Sequence, residues 1–402
     1  MPEQVDVFYE GWGEKWLWGK LVSSSALTGR PLIAFEYSED AIRKGLELSR
    51  LRLPLNGPRL RRDFPAHQLG LPGPVYDSLP DGWGMLLMDR LFKRRGLNAA
   101  RIGPLERLTW VGNNAMGAMT FRPVQSDVET LSKEDVPLEQ LASEVQEVLS
   151  GEGGEFLQKL LQMGGSPQGA RPKALLYRDS VTSKFTTAPL PGSESWLIKF
   201  PARHEHAEVC AIEAVYAECL RQCGITTPDT AYFNLPDGQA AFTGANYQIP
   251  GALDYRDFLR ATQICTNDVR EKAKAFERVV FNVAFNNRDD HPKNFAYLMS
   301  AAGNWTLAPA YDVTWCEGPG GYHQMDVLGE ALDIERKHLQ QLGVQEAELS
   351  AEHVNAIIDK ICHHATALSV TAKDKYADQI TQTTLNTIQK QINDNVRRLM
   401  SL

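Results

Sequence analysis

The chain has 402 residues, with 42 lysines and arginines against 50 aspartates and glutamates, for a formal net charge of −8. That length leaves room for two or three packed units with ample core, and an acidic balance without a long basic tract argues against direct nucleic-acid binding. No apolar run approaches the roughly 18 residues of a membrane helix, the N-terminus carries no signal peptide, and the six cysteines form neither a C-x-x-C pair nor a regular framework, which together reads as a cytoplasmic protein with reduced thiols.

Val5-Asp-Val-Phe-Tyr, Lys15 to Val22 and Leu32-Ile-Ala-Phe-Glu-Tyr are strand-like runs split by turn residues, and predict a small β unit. Residues 85 to 95 form an amphipathic helix that stops near Gly96, with its basic end complementing the helix dipole. Glu129 to about Gln162 is acidic and helical. Gly164-Gly-Ser-Pro-Gln-Gly-Ala-Arg-Pro-Lys173 follows and precedes a strand; its glycines permit close backbone approach to an anion, though a surface turn would look the same.

Trp196-Leu-Ile-Lys-Phe-Pro201 is a short apolar strand carrying one charge, Lys199. A lysine in such a run needs a partner or an edge from which to reach water. The candidate partner is Glu213, on a helix from His206 to Cys223 that Gly224 ends, although a glutamate on a solvated helix face is an equally ordinary reading. Cys219 and Cys223, four residues apart on that helix, read as core, and His204-Glu-His206 as a solvated turn.

Ala273, Phe276, Val279, Val280, Val283 and Ala284 recur at helical spacing, so a buried helix delivers the next segment, Asn287-Arg-Asp-Asp-His-Pro-Lys-Asn294. Two short strands, Phe295 to Met299 and Asn304 to Leu307, separate it from Ala310-Tyr-Asp312. Asn, Asp and Pro can simply make a turn here. Phosphoryl transfer, however, needs a group that orients the attacking hydroxyl and oxygen ligands for magnesium. Asp289 lies five positions before Asn294, the interval of the D-x-x-x-x-N catalytic loop, so Asp289 would be the base, Asn294 and Asp312 the metal ligands, and Lys293 a cation for charge developing on the transferred group. His291 is read as a loop residue that fixes the segment by hydrogen bonding and lies on the nucleotide side, and Asp290, His291 and Trp315 as the surroundings of a target-binding groove. After about residue 348 the chain is helical, with Ile388, Ile392, Val396 and Leu399 on one stripe.

In combination these segments resemble the HipA-like serine/threonine kinases, the toxins of bacterial HipBA-type toxin–antitoxin modules. Ser166 to Lys173, Leu197-Ile-Lys-Phe-Pro201, Asp289-Asp-His-Pro-Lys-Asn294 and Ala308-Pro-Ala-Tyr-Asp312 carry the likeness, joined in the N-terminal third by Ser78-Leu-Pro-Asp-Gly-Trp-Gly84 and Val111-Gly-Asn-Asn-Ala-Met-Gly-Ala-Met119. The resemblance implies an α+β, bilobal protein-kinase-like fold with an N-terminal β-rich subdomain and a mainly helical C-lobe. It divides the chain into an N-terminal subdomain (1–125), a kinase N-lobe (126–245) and a helical C-lobe (246–402). ATP and Mg2+ are the implied cofactors, with Ser166, Gly169, Lys199, Glu213 and His291 on the nucleotide side, and Ser166 the site of a self-inactivating autophosphorylation. The implied partners are a helix-turn-helix antitoxin of the HipB type, through which alone the protein would reach DNA, and a protein substrate such as an aminoacyl-tRNA synthetase; no membrane is involved.

Two departures stand out. Some relatives carry a second loop serine where this chain has Gln168, and the inter-lobe run resembling "ERFDR" is here Ala241-Phe-Thr-Gly-Ala-Asn-Tyr-Gln248, so nucleotide contacts from Thr243 to Gln248 would be altered. The altered inter-lobe run leaves open a nucleotide-impaired interaction protein, and a small-molecule kinase with the same lobes is the other alternative.

Overall fold

The computed structural model describes residues 4–24, 32–50, 52–124, 135–151, 157–164, 171–188, 190–236, 239–243 and 253–401. The phosphate-loop positions Ser166 and Gly169, and the altered inter-lobe run from Gly244 to Gln248, lie outside the described residues. The chain divides into two compact units, Met1–Trp196 and Leu197–Leu402. Its class is α+β, β-rich at the N-terminal end and helical towards the C-terminus.

The first unit holds a five-stranded antiparallel sheet, in the order Leu60–Arg61, Leu32–Tyr37, Glu14–Ser24, Gln4–Gly11, Met119–Arg122. Alternation sends Val5, Val7 and Tyr9, then Trp16 and Trp18, then Ile33, Phe35 and Tyr37 to the buried side. Trp18 packs on Phe35 with ring centroids 4.6 Å apart. Gly19 sits where any Cβ would lie 2.5 Å from both the Phe35 ring and the Glu36 carbonyl oxygen, so only glycine lets these strands close. The helix Gly82–Arg94 buries Trp83, Leu87, Met88, Leu91 and Phe92, and the Trp83 indole N–H donates to the backbone oxygen of Lys173 at 3.1 Å. That bond ties the Ser78-to-Gly84 segment to the start of the strand Lys173–Arg178.

The second unit opens on the strand end Leu197–Lys199, which pairs antiparallel with Ala240–Thr243, itself paired with Tyr232–Asn234. The helix Glu208–Gln222 is buried on every side from Cys210 to Ala217, and its Tyr216 hydroxyl donates to the Phe285 carbonyl at 2.6 Å. The central element is the helix Val269–Ala284, in which Ala275, Phe276, Val279, Val280, Phe281 and Ala284 are wholly buried. Asp268 caps it by accepting the Arg270 amide N–H at 2.9 Å. The helices Ala351–Thr366 and Gln382–Met400 pack on it through Ile357, Ile358, Ile361, Leu385, Ile388 and Ile392. Burial on this scale, about 25 cal/mol per Å² of apolar surface, fixes the end of the central helix and therefore the loop that leaves it. No helix among the described residues is long and apolar enough to cross a membrane.

Candidate active site

All the described site candidates fall in the second unit. The central helix ends at Phe285, and Asn286 turns the chain through a left-handed conformation, φ +57°, which asparagine tolerates better than most residues. The Asn287 amide N–H then donates to the Asn282 carbonyl, and its side chain to the Asn282 side-chain oxygen at 2.9 Å. Pro292 opens a short 3-10 turn, Pro292–Asn294. From there the Asn294 side-chain N–H reaches back to the Asp289 carbonyl at 2.7 Å, closing the loop on itself.

Lys199 sits between two acids. Its Nζ donates to Glu213 Oε1 at 2.6 Å and to Asp312 Oδ1 at 2.5 Å, and the three residues are 1%, 3% and 7% exposed. Burial by itself pulls the ammonium down, but the adjacent carboxylates of Asp312 and Glu213 outweigh it and leave the Lys199 pKa above its ordinary value. The cation is therefore retained at any physiological pH. Asp312 itself is held at φ +57°, another left-handed position, which aims its carboxylate at the lysine.

Two oxygens remain over. Asn294 Oδ1 and Asp312 Oδ2 are buried and have no hydrogen-bond partner among the described residues. A buried acceptor left without a donor costs about 1–3 kcal/mol, so such atoms point to a function beyond packing. One carboxylate oxygen and one amide oxygen suit a hard divalent cation that keeps waters and phosphates as its other ligands. Among the described residues no group of three or more His, Cys, Asp and Glu could hold a metal ion.

Asp289 is the more accessible acid, its side chain 23% exposed, with Oδ1 accepting from the Gln324 side-chain N–H at 2.7 Å. Lys293 lies half-buried beside it in the turn, its carbonyl accepting from the Tyr311 hydroxyl at 2.9 Å. His291 departs from expectation. Among the described residues neither ring nitrogen finds a hydrogen-bond partner, although Nε2 lies 3.7 Å from Asp289 Oδ1, and burial pushes its pKa down against the opposing pull of Asp289, Asp312 and Asp290. The loop is fixed instead through Asp290, which is wholly buried and so cannot line a target groove. Its Oδ2 accepts from the Tyr255 hydroxyl at 2.6 Å and contacts His323 Nδ1 at 2.7 Å, while Oδ1 accepts from the Gln324 backbone N–H at 2.8 Å. Trp315 is partly buried, donating to Gln391 Oε1 at 2.8 Å.

Residues 14–122 match the family model of the HipA N-terminal domain, and residues 240–369 that of the HipA-like C-terminal domain. The chain belongs to the HipA-like family. HipA of Shewanella oneidensis MR-1, solved as a toxin–antitoxin system with HipB and its operator DNA, aligns over 98% of this chain and 97% of its own, at 15% identity and a TM-score of 0.68. That likeness is one of fold, and it runs the length of this HipA-like protein. A proinflammatory kinase of Helicobacter pylori, CtkA, aligns over 52% of this chain and 86% of its own at 10% identity, with a TM-score of 0.35 that is too low to carry an argument. No curated protein sequence matches the chain. Within the HipA-like C-terminal match lie Asp289, Asn294 and Asp312, whereas Lys199 and Glu213 precede it.

The supporting network of this HipA-like site was not visible in the sequence. Asn282 donates to the Tyr255 hydroxyl at 3.0 Å, so Asn287, Asn282, Tyr255, Asp290 and His323 form one buried chain of hydrogen bonds. A single signal existed, an asparagine in the middle of the apolar run Val279 to Ala284. Replacing Tyr255 with phenylalanine strands the Asn282 N–H and removes one donor from Asp290, and is expected to cost about 1–3 kcal/mol. Urea unfolding of the variant would read this directly, and a loss below about 0.5 kcal/mol would mean that the network does not stabilise the loop.

Proposed function

We propose that this HipA-like protein is an ATP- and Mg2+-dependent protein serine/threonine kinase, the toxin of a type II toxin–antitoxin pair acting in the cytoplasm. The observation that carries the reading is the Lys199 bridge between Glu213 and Asp312, with the unpartnered oxygens of Asp312 and Asn294. An ammonium held by a helix glutamate is pre-organised to meet nucleotide phosphates. Asn294 through Oδ1 and Asp312 through Oδ2 would hold Mg2+, which when bound neutralises charge on the phosphate oxygens.

The chain's own groups supply the rest. Asp289, reachable from solvent and anchored at one carboxylate oxygen, orients the substrate hydroxyl and receives its proton as the hydroxyl oxygen bonds to the γ-phosphorus and the bond to ADP breaks. Lys293 offsets the charge that develops on the transferred group, and His291, buried against Asp289, backs the nucleotide side from within the loop. Ser166 and Gly169 belong to the phosphate loop, with Ser166 the autophosphorylation site: two added negative charges would not remain in a pocket for triphosphate. The division into 1–125, 126–245 and 246–402 gives the domain boundaries of this reading. A HipB-like helix-turn-helix antitoxin is the proposed partner, supported by the fold shared with a HipA solved bound to HipB and operator DNA. An aminoacyl-tRNA synthetase is a fitting protein target.

Intact mass measurement after incubation with ATP and Mg2+ tests the reading. A phosphate gain that maps to Ser166 and disappears with EDTA is expected. Absence of both a phosphate gain and an ATP-induced thermal shift would overturn it in favour of an interaction protein. Phosphorylation of a small molecule without gain at Ser166 would replace it by a small-molecule kinase.

A further inference from the structure

Asp289 and Asp290 are neighbours in the chain with opposite fates, one half-open and one sealed. Both are held by a single residue. Gln324 donates its backbone N–H to Asp290 Oδ1 at 2.8 Å and its side-chain N–H to Asp289 Oδ1 at 2.7 Å. Gln324 is itself immobilised. It directly precedes the strand Met325–Asp326, which pairs in parallel with Leu253–Asp254. The preceding residue, His323, donates its backbone N–H to the Ala331 carbonyl at 2.8 Å and places Nδ1 2.7 Å from Asp290 Oδ2.

We infer that Gln324 is a positioning residue for the reaction, fixing the Asp289 carboxylate so that its other oxygen, Oδ2, is presented to the substrate hydroxyl. Among the described residues Oδ2 of Asp289 has no hydrogen-bond partner, whereas Oδ1 is taken by the amide. A carboxylate on a single Cβ–Cγ bond rotates freely unless one oxygen is held, because terminal torsions of this kind are broad. Holding it removes that freedom before the substrate arrives, and misplacement of a reacting group by about 1 Å costs on the order of 10²-fold in rate. A neutral amide suits the task. A lysine or arginine here would form an ion pair with the base and weaken its hold on a proton, while a carboxylate would repel it. The inference rests on the kinase reading above, since it assigns Gln324 a role only through Asp289.

The experiment compares the native chain with Gln324→Met, which keeps the volume and loses the donor, and Gln324→Glu, which sets a second acid against Asp289. Transfer of label from radiolabelled ATP with Mg2+, to the chain itself and to water, is followed with ATP varied, alongside the thermal midpoint with and without ATP and Mg2+. Gln324→Met is expected to lower kcat about 10–100-fold with the KM for ATP and the ATP-induced thermal shift unchanged, and Gln324→Glu to lower it further. A residue that only fills space would move the midpoint and not order the two rates. If the native chain transfers label and both variants stay within about threefold of it, the positioning role is overturned and the kinase reading stands. Loss of rate that tracks loss of the folded state in both variants also overturns it. A native chain that transfers nothing overturns both.

Discussion

Lys199→Met is expected to destabilise the protein by about 3–5 kcal/mol at neutral pH, besides abolishing phosphoryl transfer. Removing one partner from a buried ionic group leaves the others uncompensated, and here a single ammonium serves two carboxylates, both almost fully buried. Methionine matches the lysine stem in volume, so the loss arises from charge rather than from a cavity. The pH dependence distinguishes this cause. In the native protein the Lys199 pKa is raised, so the stability it contributes is fully present below the ordinary lysine pKa of about 10.4 and is lost only as pH rises through the higher folded value. Across the neutral range this group therefore adds no slope. In the variant Glu213 and Asp312 face each other without a cation, so their like charges repel when both are ionised and the deficit shrinks as acid neutralises them. Urea unfolding near pH 5 and near pH 8 should show the variant's deficit relative to the native chain shrinking towards acid. A deficit below about 1 kcal/mol, or one independent of pH, would contradict the buried bridge.

Asp289→Asn is expected to behave oppositely, with phosphoryl transfer falling about 10²–10⁴-fold and stability nearly unchanged. The side chain is 23% exposed and its one hydrogen bond is accepted from Gln324, a role the asparagine oxygen can take over. Substitutions that keep contacts of this kind usually stay within about 0.5 kcal/mol. Binding of ATP and Mg2+, read as a thermal shift, should survive, because the atoms assigned to the metal lie on Asn294 and Asp312. Initial rates of label transfer check this, and a loss smaller than about tenfold would remove Asp289 from the role of base.

Much of the site was legible because it is local. The Asp289–Asn294 interval lies within one loop, and the apolar spacing of Phe276, Val279, Val280 and Val283 identified the helix behind it. The charged residue in the strand before Phe200 likewise announced that it needed a partner. What the sequence could not supply were pairs made by the tertiary fold. Lys199 meets Asp312 across 113 positions and Asp289 meets Gln324 across 35, and no periodicity connects either pair. Asp289, Asp290 and His291 form a uniformly polar run in which pattern cannot separate exposed from sealed, so nothing in it marks Asp290 as buried or the His291 ring as lacking a hydrogen bond among the described residues. The β-rich first unit was legible by its alternation, and Gly19 by nothing except the close strand approach that it permits.

One cation against two acids leaves the Lys199 cluster with a net charge of −1, while in the loop Lys293 offsets Asp289. An electronegative cleft repels a bare triphosphate, and the repulsion is strong where water is excluded. What such a cleft admits readily is a nucleotide whose charge has already been lowered by its own counterion. On the proposed kinase reading, affinity for ATP would then follow the free concentration of the divalent ion.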